Sequence, residues 1–381
     1  MCAAALPSRG LGLTIRCDQA GETERGVAAD SDHIVAETAA RIFADLADPQ
    51  TINRAKDTAW KAPLWRALED GGLPLAWVPE RLGGAGATIA DGFAILSAAG
   101  RHAVPVPLAE TLAAGWLLAQ ADIASPAGAM TVAPVRSNEV IEIDGEGRLS
   151  GRVLSVPFAR EAEHVAVLAA GAKDSAVALV ATEDCRLDEG HNLAREPSAG
   201  ITLANVRPRK IATPPSSVDR HTLLVMGATM RSVQIAGALE AILALCVAYA
   251  NERVAFERKI GKFQAVQQNL ARLAGETAAA LAAAGSAADA MAQAGEIDDA
   301  VFLEVASAKI RCAEAATEGA SIAHQVFGAI GFTEEHVLHR FTLRMLTWRD
   351  DFGNESQWAA KLGNDIARRG ADAFWPLVAS R

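Results

Sequence analysis

The chain has 381 residues, half of them hydrophobic and 22% charged, with a formal net charge of -10. That length exceeds one ordinary core and implies two or three domains, and the apolar fraction excludes a disordered chain. The acidic balance argues against a nucleic-acid partner, and five scattered cysteines without a Cys-x-x-Cys argue against zinc and disulfides and for a reducing cytoplasm.

Residues 1–30 mix Gly, Arg and acids with no sustained apolar core, which predicts a disordered extension rather than a signal peptide. From Ser31 the pattern turns helical, with Ile34, Val35, Ile42, Phe43 and Leu46 on one stripe. Further helices are expected near 62–70, ending at Gly71-Gly72, near 89–100 and near 110–120, so that 31–127 forms an N-terminal α-helical domain. Across 128–215 the period changes. Short β-rich runs (Val140–Ile143, Val165–Leu168, Ala176–Val180) between Gly and Asp clusters predict a small antiparallel sheet domain. Residues 216–381 are helical again and fit a four-helix bundle. Its longest apolar helix, near 233–250, contains Gln234 and Glu240, which favours a buried bundle helix over a membrane span. The Ala-rich stretch 278–294 permits close helix approach, in the core or between subunits. Glu335, His336 and His339 stand at helical spacing, but they offer too few ligands to hold a metal alone.

Between two of the long helices lie Arg253, Phe256, Arg258, Lys259, Gly261, Lys262, Phe263 and Gln264. A basic, Gly-containing turn at helix ends is either a solvated connection or an anion holder, since Arg offers a planar donor fork and a helix N-terminus offers free N–H groups. A second segment, Gln325-Val-Phe-Gly328-Ala-Ile-Gly331-Phe-Thr333, follows another helix. The two resemble, in order, the Arg-x-x-Phe-Gly-x-x-Ile-x-x-Phe-Gln and Gln-x-x-Gly-Gly-x-Gly-x-Thr motifs of the acyl-CoA dehydrogenase family. Glu257 stands where the first motif has Gly, and Ala329 where the second has its second Gly. The segment Leu73 to Gly84, with Val78-Pro79-Glu80 and Gly83-Gly84, resembles a family stretch in the N-terminal helices.

The resemblance covers the chain from about Ser31 onward and implies an α+β fold: an N-terminal helical domain, a small antiparallel β domain and a C-terminal four-helix bundle. It implies FAD as cofactor, oxidation of an acyl-CoA to its 2,3-enoyl thioester, and transfer of electrons to an electron-transfer flavoprotein. By the same resemblance Arg253 would pair with the FAD pyrophosphate, Phe256 would pack beside the cofactor, Gln264 and Gln325 would hydrogen-bond it, and Gly328 would allow close backbone approach. These contacts are shared across a dimer interface in the family, so a homo-oligomer or a heteromer is implied. The other reading of Arg253 is an i,i+4 ion pair with Glu257 on a helix. Arg231 matches a family Arg near the acyl pocket, or is a plain helix-surface charge.

Three departures matter. Where the family reads Gly-x-Lys-x-Trp-Ile-Thr-Asn beside the flavin ring, this chain has Gly151 to Phe158, with Pro157 in place of the Thr. No clear match to the family's Thr-Glu-Pro-x-x-Gly-Ser loop is present. At the usual position of the catalytic Glu stands Phe352, and the alternative position on the first bundle helix is Met230. Asp351 and Glu355 flank the site as substitute bases, although acids near a helix start are more often caps or solvated charges. Three readings follow: a dehydrogenase with a shifted base, a base-lacking partner subunit that completes the FAD site with a Glu-bearing homologue, and a flavin-free helical scaffold.

Overall fold

The computed structural model describes the backbone of residues 22–379 and the side chains of residues 34–379. Five helices come first: α1 (Glu22–Leu46), α2 (Pro49–Arg54), α3 (Lys61–Asp70), α4 (Ile89–Arg101) and α5 (Leu108–Gln120). Helix α1 thus takes in the part of the expected extension from Glu22 onward, while residues 1–21 lie outside the described residues. Local chemistry sets the starts of α2 and α4. Asp48 accepts from Thr51 N at 2.8 Å, and Thr88 and Asp91 form a reciprocal capping box. Helix α5 is buried almost throughout, Glu110 included, which places a carboxylate in the interior.

The middle of the chain is one eight-stranded sheet: β1 (Met130–Ala133), β2 (Ile141–Ile143), β3 (Leu149–Pro157), β4 (His164–Ala170), β5 (Ser175–Ala181), β6 (Arg186–Asp188), β7 (Ser198–Val206) and β8 (Lys210–Ala212). Its order is β6-β7-β3-β2-β4-β5-β8, with β1 beside β4. Most pairings are antiparallel, but β1–β4 and β2–β4 are parallel, so the sheet is mixed. Strands β4 and β5 read as nearly continuous apolar runs because both faces are covered: Val165, Val167, Ala178 and Val180 join a separate sheet core, while Ala166, Leu168, Val177 and Leu179 join the main helical core.

The rest is helical. Helix α6 (Arg220–Glu252) is followed by the small hairpin β9 (Val254–Ala255) and β10 (Arg258–Lys259), then by α7 (Gln264–Gln293), α8 (Asp299–Phe327), α9 (Leu338–Asp350), α10 (Glu355–Arg369) and α11 (Ala371–Ala379). By length and apolarity α6 could cross a membrane. Here its residues from Thr222 to Leu239 are buried without interruption, since it is the central helix and packs against α4, α7, α8 and α9. Burial on all sides explains why α6 lacks the polar face of a surface helix.

Candidate functional site

At the centre of the molecule Arg231 of α6 is 2% exposed and fully engaged. Its Nη2 donates to Glu110 Oε1 at 2.6 Å, its Nε to Asp351 Oδ2 at 3.0 Å and its Nη1 to Gln234 Oε1 at 2.7 Å. Arg231 is therefore no helix-surface charge. Burial raises the pKa of Glu110 and of Asp351 above the ordinary carboxylate range, and attraction to Arg231 works against that rise. Burial alone would lower the Arg231 pKa, but the two carboxylates hold it above its usual value. The cluster is a compensated ionic core, with both acids committed to one guanidinium.

Phe352 follows directly. It adopts a left-handed backbone (φ 55°), is 3% exposed and lies against α6 at Gly227, where a Cβ would overlap its ring. Glycine is therefore required at 227 by the close approach of the aromatic ring. The Arg231 guanidinium carbon lies 6.0 Å from the ring centroid, and Trp358 Nε1 donates to the Phe352 carbonyl at 3.0 Å. Asn354 caps α10 by accepting from Gln357 N at 3.0 Å. Glu355, at the start of that helix, accepts from Arg349 Nε at 3.0 Å. The two carboxylates expected as substitute bases are thus both ion-paired, Asp351 in the interior and Glu355 at a helix start.

Two contributors to this centre, Glu110 and Lys309, were not anticipated from the sequence. Lys309 on α8 is fully buried and donates Nζ to the Trp348 carbonyl in the last turn of α9, at 2.7 Å. Burial pushes its pKa down to about 7, although Asp351 pulls the other way. Each interrupts an apolar helical run, and that was the available signal: Glu110 lies between Ala109 and Thr111-Leu112, and Lys309 stands at a core position between Val305 and Cys312.

Beside Asp351 opens a cavity of about 490 Å³ between the end of α9, strand β3 and the turn at 188–193. It is bordered by Ser155 and Pro157 of the segment that stands where the family has its flavin-ring contact and departs from it. Pro157 has neither an N–H nor a hydroxyl to offer. Ser155 sits at φ 55°, and its hydroxyl accepts from Arg136 Nη2 at 2.9 Å. Phe158 is buried, 5% exposed.

The residues expected to hold a dinucleotide gather at the other end of the bundle. Tyr249, one turn before Arg253 on α6, stacks on Phe327 of α8 with ring centroids 4.3 Å apart. Phe327 lies between Gln325 and Gly328, so this stack brings the two motifs together. Arg253 caps α6 and is exposed, and its guanidinium has no hydrogen-bond or ion-pair partner among the described residues. The alternative pairing with Glu257 on a helix does not form, because Phe256 and Glu257 make the two-residue turn of the β9–β10 hairpin at φ 52° and 62°. Phe256 is 89% exposed with its ring edge against Phe263, and Arg258 lies over Phe263 at 4.0 Å. Gln264 opens α7 and Gln325 ends α8, both exposed. Gly328 takes φ 64°, ψ -146°, a conformation reserved for glycine, and a Cβ there would meet nothing within 4 Å.

This end fits the phosphates and adenosine of a dinucleotide: an uncommitted guanidinium, two exposed carboxamides, and an open backbone turn at glycine. The sheet side fits less well, since Pro157 removes the donor that the family places beside the flavin ring.

The arrangement of helices, sheet and bundle defines an acyl-CoA dehydrogenase fold. Residues 218–354 match the family model described as acyl-CoA dehydrogenase, C-terminal domain. The chain is 27% identical over 311 residues to the acyl-CoA dehydrogenase IpdE2 of Mycobacterium tuberculosis, covering 81% of this chain and 88% of that protein. It superposes on the ChsE4–ChsE5 complex of Mycobacterium tuberculosis with a TM-score of 0.78 at 24% identity, over 90% of this chain and 98% of that one. A steroid acyl-CoA dehydrogenase, the Tcur3481–Tcur3483 G363A variant, gives a TM-score of 0.77 at 25% identity, over 89% and 98%. Residues 218–354 thus match the family's C-terminal domain, and the chain as a whole is similar in sequence and fold to acyl-CoA dehydrogenases.

Proposed function

We propose that the chain is the base-lacking subunit of a heteromeric, FAD-dependent acyl-CoA dehydrogenase of the cytoplasm. It would lend Arg253, Gln264, Gln325 and Gly328 to a FAD site that a homologous, Glu-bearing chain completes. The observation that carries this reading is the packing of Phe352. At the position of the expected base an aromatic ring is buried against Gly227, and the flanking acids are taken up by Arg231 and Arg349. A general base needs a carboxylate within hydrogen-bond reach of the proton it removes and not already neutralised by a cation. Neither Asp351 nor Glu355 meets that requirement.

When bound, FAD supplies the acceptor for the β-hydride of the acyl-CoA and passes the electrons to an electron-transfer flavoprotein. Arg253 offers a fork to the pyrophosphate and the two carboxamides offer donors and acceptors along the cofactor. Because these groups face outward, a second chain is needed to enclose what they hold. The named relatives include a two-chain complex and a steroid acyl-CoA dehydrogenase, which supports a heteromer acting on a bulky, ring-bearing acyl thioester.

The test is the visible spectrum of the purified chain, alone and co-expressed with a Glu-bearing homologue. The chain alone should be colourless, and the pair yellow and bleached by acyl-CoA under anaerobic conditions. Arg253→Gln should strip flavin from the pair. A yellow chain that bleaches by itself would refute the proposal and favour a dehydrogenase with a shifted base. A colourless pair would point to the flavin-free scaffold.

A further inference from the structure

A second cavity of about 450 Å³ shares no lining residue with the one beside Asp351; α2, the turn at 194–197, the segment at 332–334 and α9 enclose it. Three of its four Lys and Arg side chains are neutralised. Lys61 bridges Glu161, Arg195 bridges Glu334, and Arg344 Nε donates to Glu196 Oε1 at 2.6 Å. The other Glu196 oxygen accepts from Asn192 Nδ2 at 3.1 Å. Arg340 is the fourth. Its guanidinium has no hydrogen-bond or ion-pair partner among the described residues, and its Nε is buried without an acceptor. Burial first, and then Arg344 beside it, hold its pKa down to about 10, although Glu196 pulls the other way. A partly desolvated cation that no side chain hydrogen-bonds is costly, and it stands open to an acceptor brought by a ligand.

Ile52, Phe158, Pro197, Phe332 and Leu343 give the cavity an apolar wall, and Asn53 and His339 also line it. Arg195 and Glu334 are largely exposed and stand where the cavity meets solvent. We infer that this cavity is a binding site for an organic carboxylate, with the carboxylate on Arg340 and an apolar body along Phe158, Leu343 and Phe332. The planar guanidinium matches a carboxylate with two parallel donors, which a point charge would not do. The volume lies within the range of roughly 300–1,000 Å³ that suits small-molecule sites. The inference does not depend on the subunit's role in catalysis.

Titration calorimetry of the whole chain with decanoate tests it, with decanol as the same body without the charge and inorganic phosphate as a charge without the body. Decanoate should bind at least tenfold more tightly than either. Arg340→Gln should weaken decanoate at least tenfold while melting no lower than the wild type, because it removes a partly buried charge that no side chain hydrogen-bonds. Arg340→Lys should recover part of the affinity. Leu343→Trp, which fills the cavity and leaves Arg340 in place, should block binding, and it decides the matter if Arg340→Gln does not fold. The inference fails if the wild type does not bind decanoate, if decanol binds equally well, or if Arg340→Gln or Leu343→Trp binds as the wild type does.

Discussion

Arg231 and Arg253 stand on the same helix and are held in opposite ways. Arg231 is buried, with both neighbouring carboxylates and a carboxamide spent on it, whereas Arg253 is exposed at the helix end with its fork uncommitted. In the interior, charge must be settled within the chain, because an unpaired ion there costs several kcal/mol. At the surface it can be left open for a ligand or a second subunit at little cost. The contrast separates what this chain needs for folding from what it can offer to an assembly.

The sharpest way to break the contrast is to remove the interior arginine. Arg231→Met should destabilise the chain by about 3–5 kcal/mol at neutral pH, read by urea unfolding, because Glu110 and Asp351 then share the interior without a cation. Both acids already have raised pKa values, so their burial favours the folded state at low pH and counts against it as pH rises through the raised values. The loss in Arg231→Met should therefore shrink as pH falls towards the ordinary values of 4.5 and 3.8. A loss independent of pH would mean that packing, not charge, is what Arg231 supplies.

Phe352→Ala should come next, at about 3 kcal/mol, since it leaves a cavity against Gly227 that a glycine-lined helix cannot fill. A change below about 1 kcal/mol would show that the ring is not part of the core. Lys309→Met is smaller, about 1–3 kcal/mol near neutral pH, because the Trp348 carbonyl loses its donor. Its pH dependence has a definite sign. Lys309 binds its proton less readily in the folded chain, at about 7 against 10.5, so its contribution is fully present above 10.5 and is lost as pH falls through 7. Wild-type stability should thus gain on Lys309→Met between pH 7 and 10.5, and parallel profiles would contradict a buried, titrating lysine.

The same contrast governs what was legible in the sequence. At the outer end the sequence marked the two segments through local features, a basic, Gly-containing turn and the glycines at 328 and 331, but not the hairpin that the first of them forms. The ionic centre was not, because Arg231 meets partners 121 and 120 positions away, and only the fold brings α5 and the end of α9 to α6. Phe352 drew attention only through the resemblance to the family, and nothing in the sequence told that Asp351 beside it would be consumed by Arg231. Period and propensity marked the long helices and the runs that became β2, β4 and β5. The parallel pairings of β4 depended on tertiary order that no local pattern carries.

The smallest effect lies in the hairpin turn next to Arg253. Phe256 and Glu257 both occupy the left-handed region, and such a two-residue turn favours Gly at its second position. Glu257→Gly should therefore stabilise the hairpin, by at most about 1 kcal/mol, since the strain of a side chain at φ 62° outweighs the backbone freedom that glycine brings. Because the hairpin packs little against the core, global unfolding would register little of this. Amide exchange at Ile260, whose N–H donates to the Arg253 carbonyl at 2.8 Å, reads it directly and should slow in the variant. Faster exchange would mean that Glu257 holds the turn through its side chain, and that the charge carried beside Arg253 has a use which a glycine could not serve.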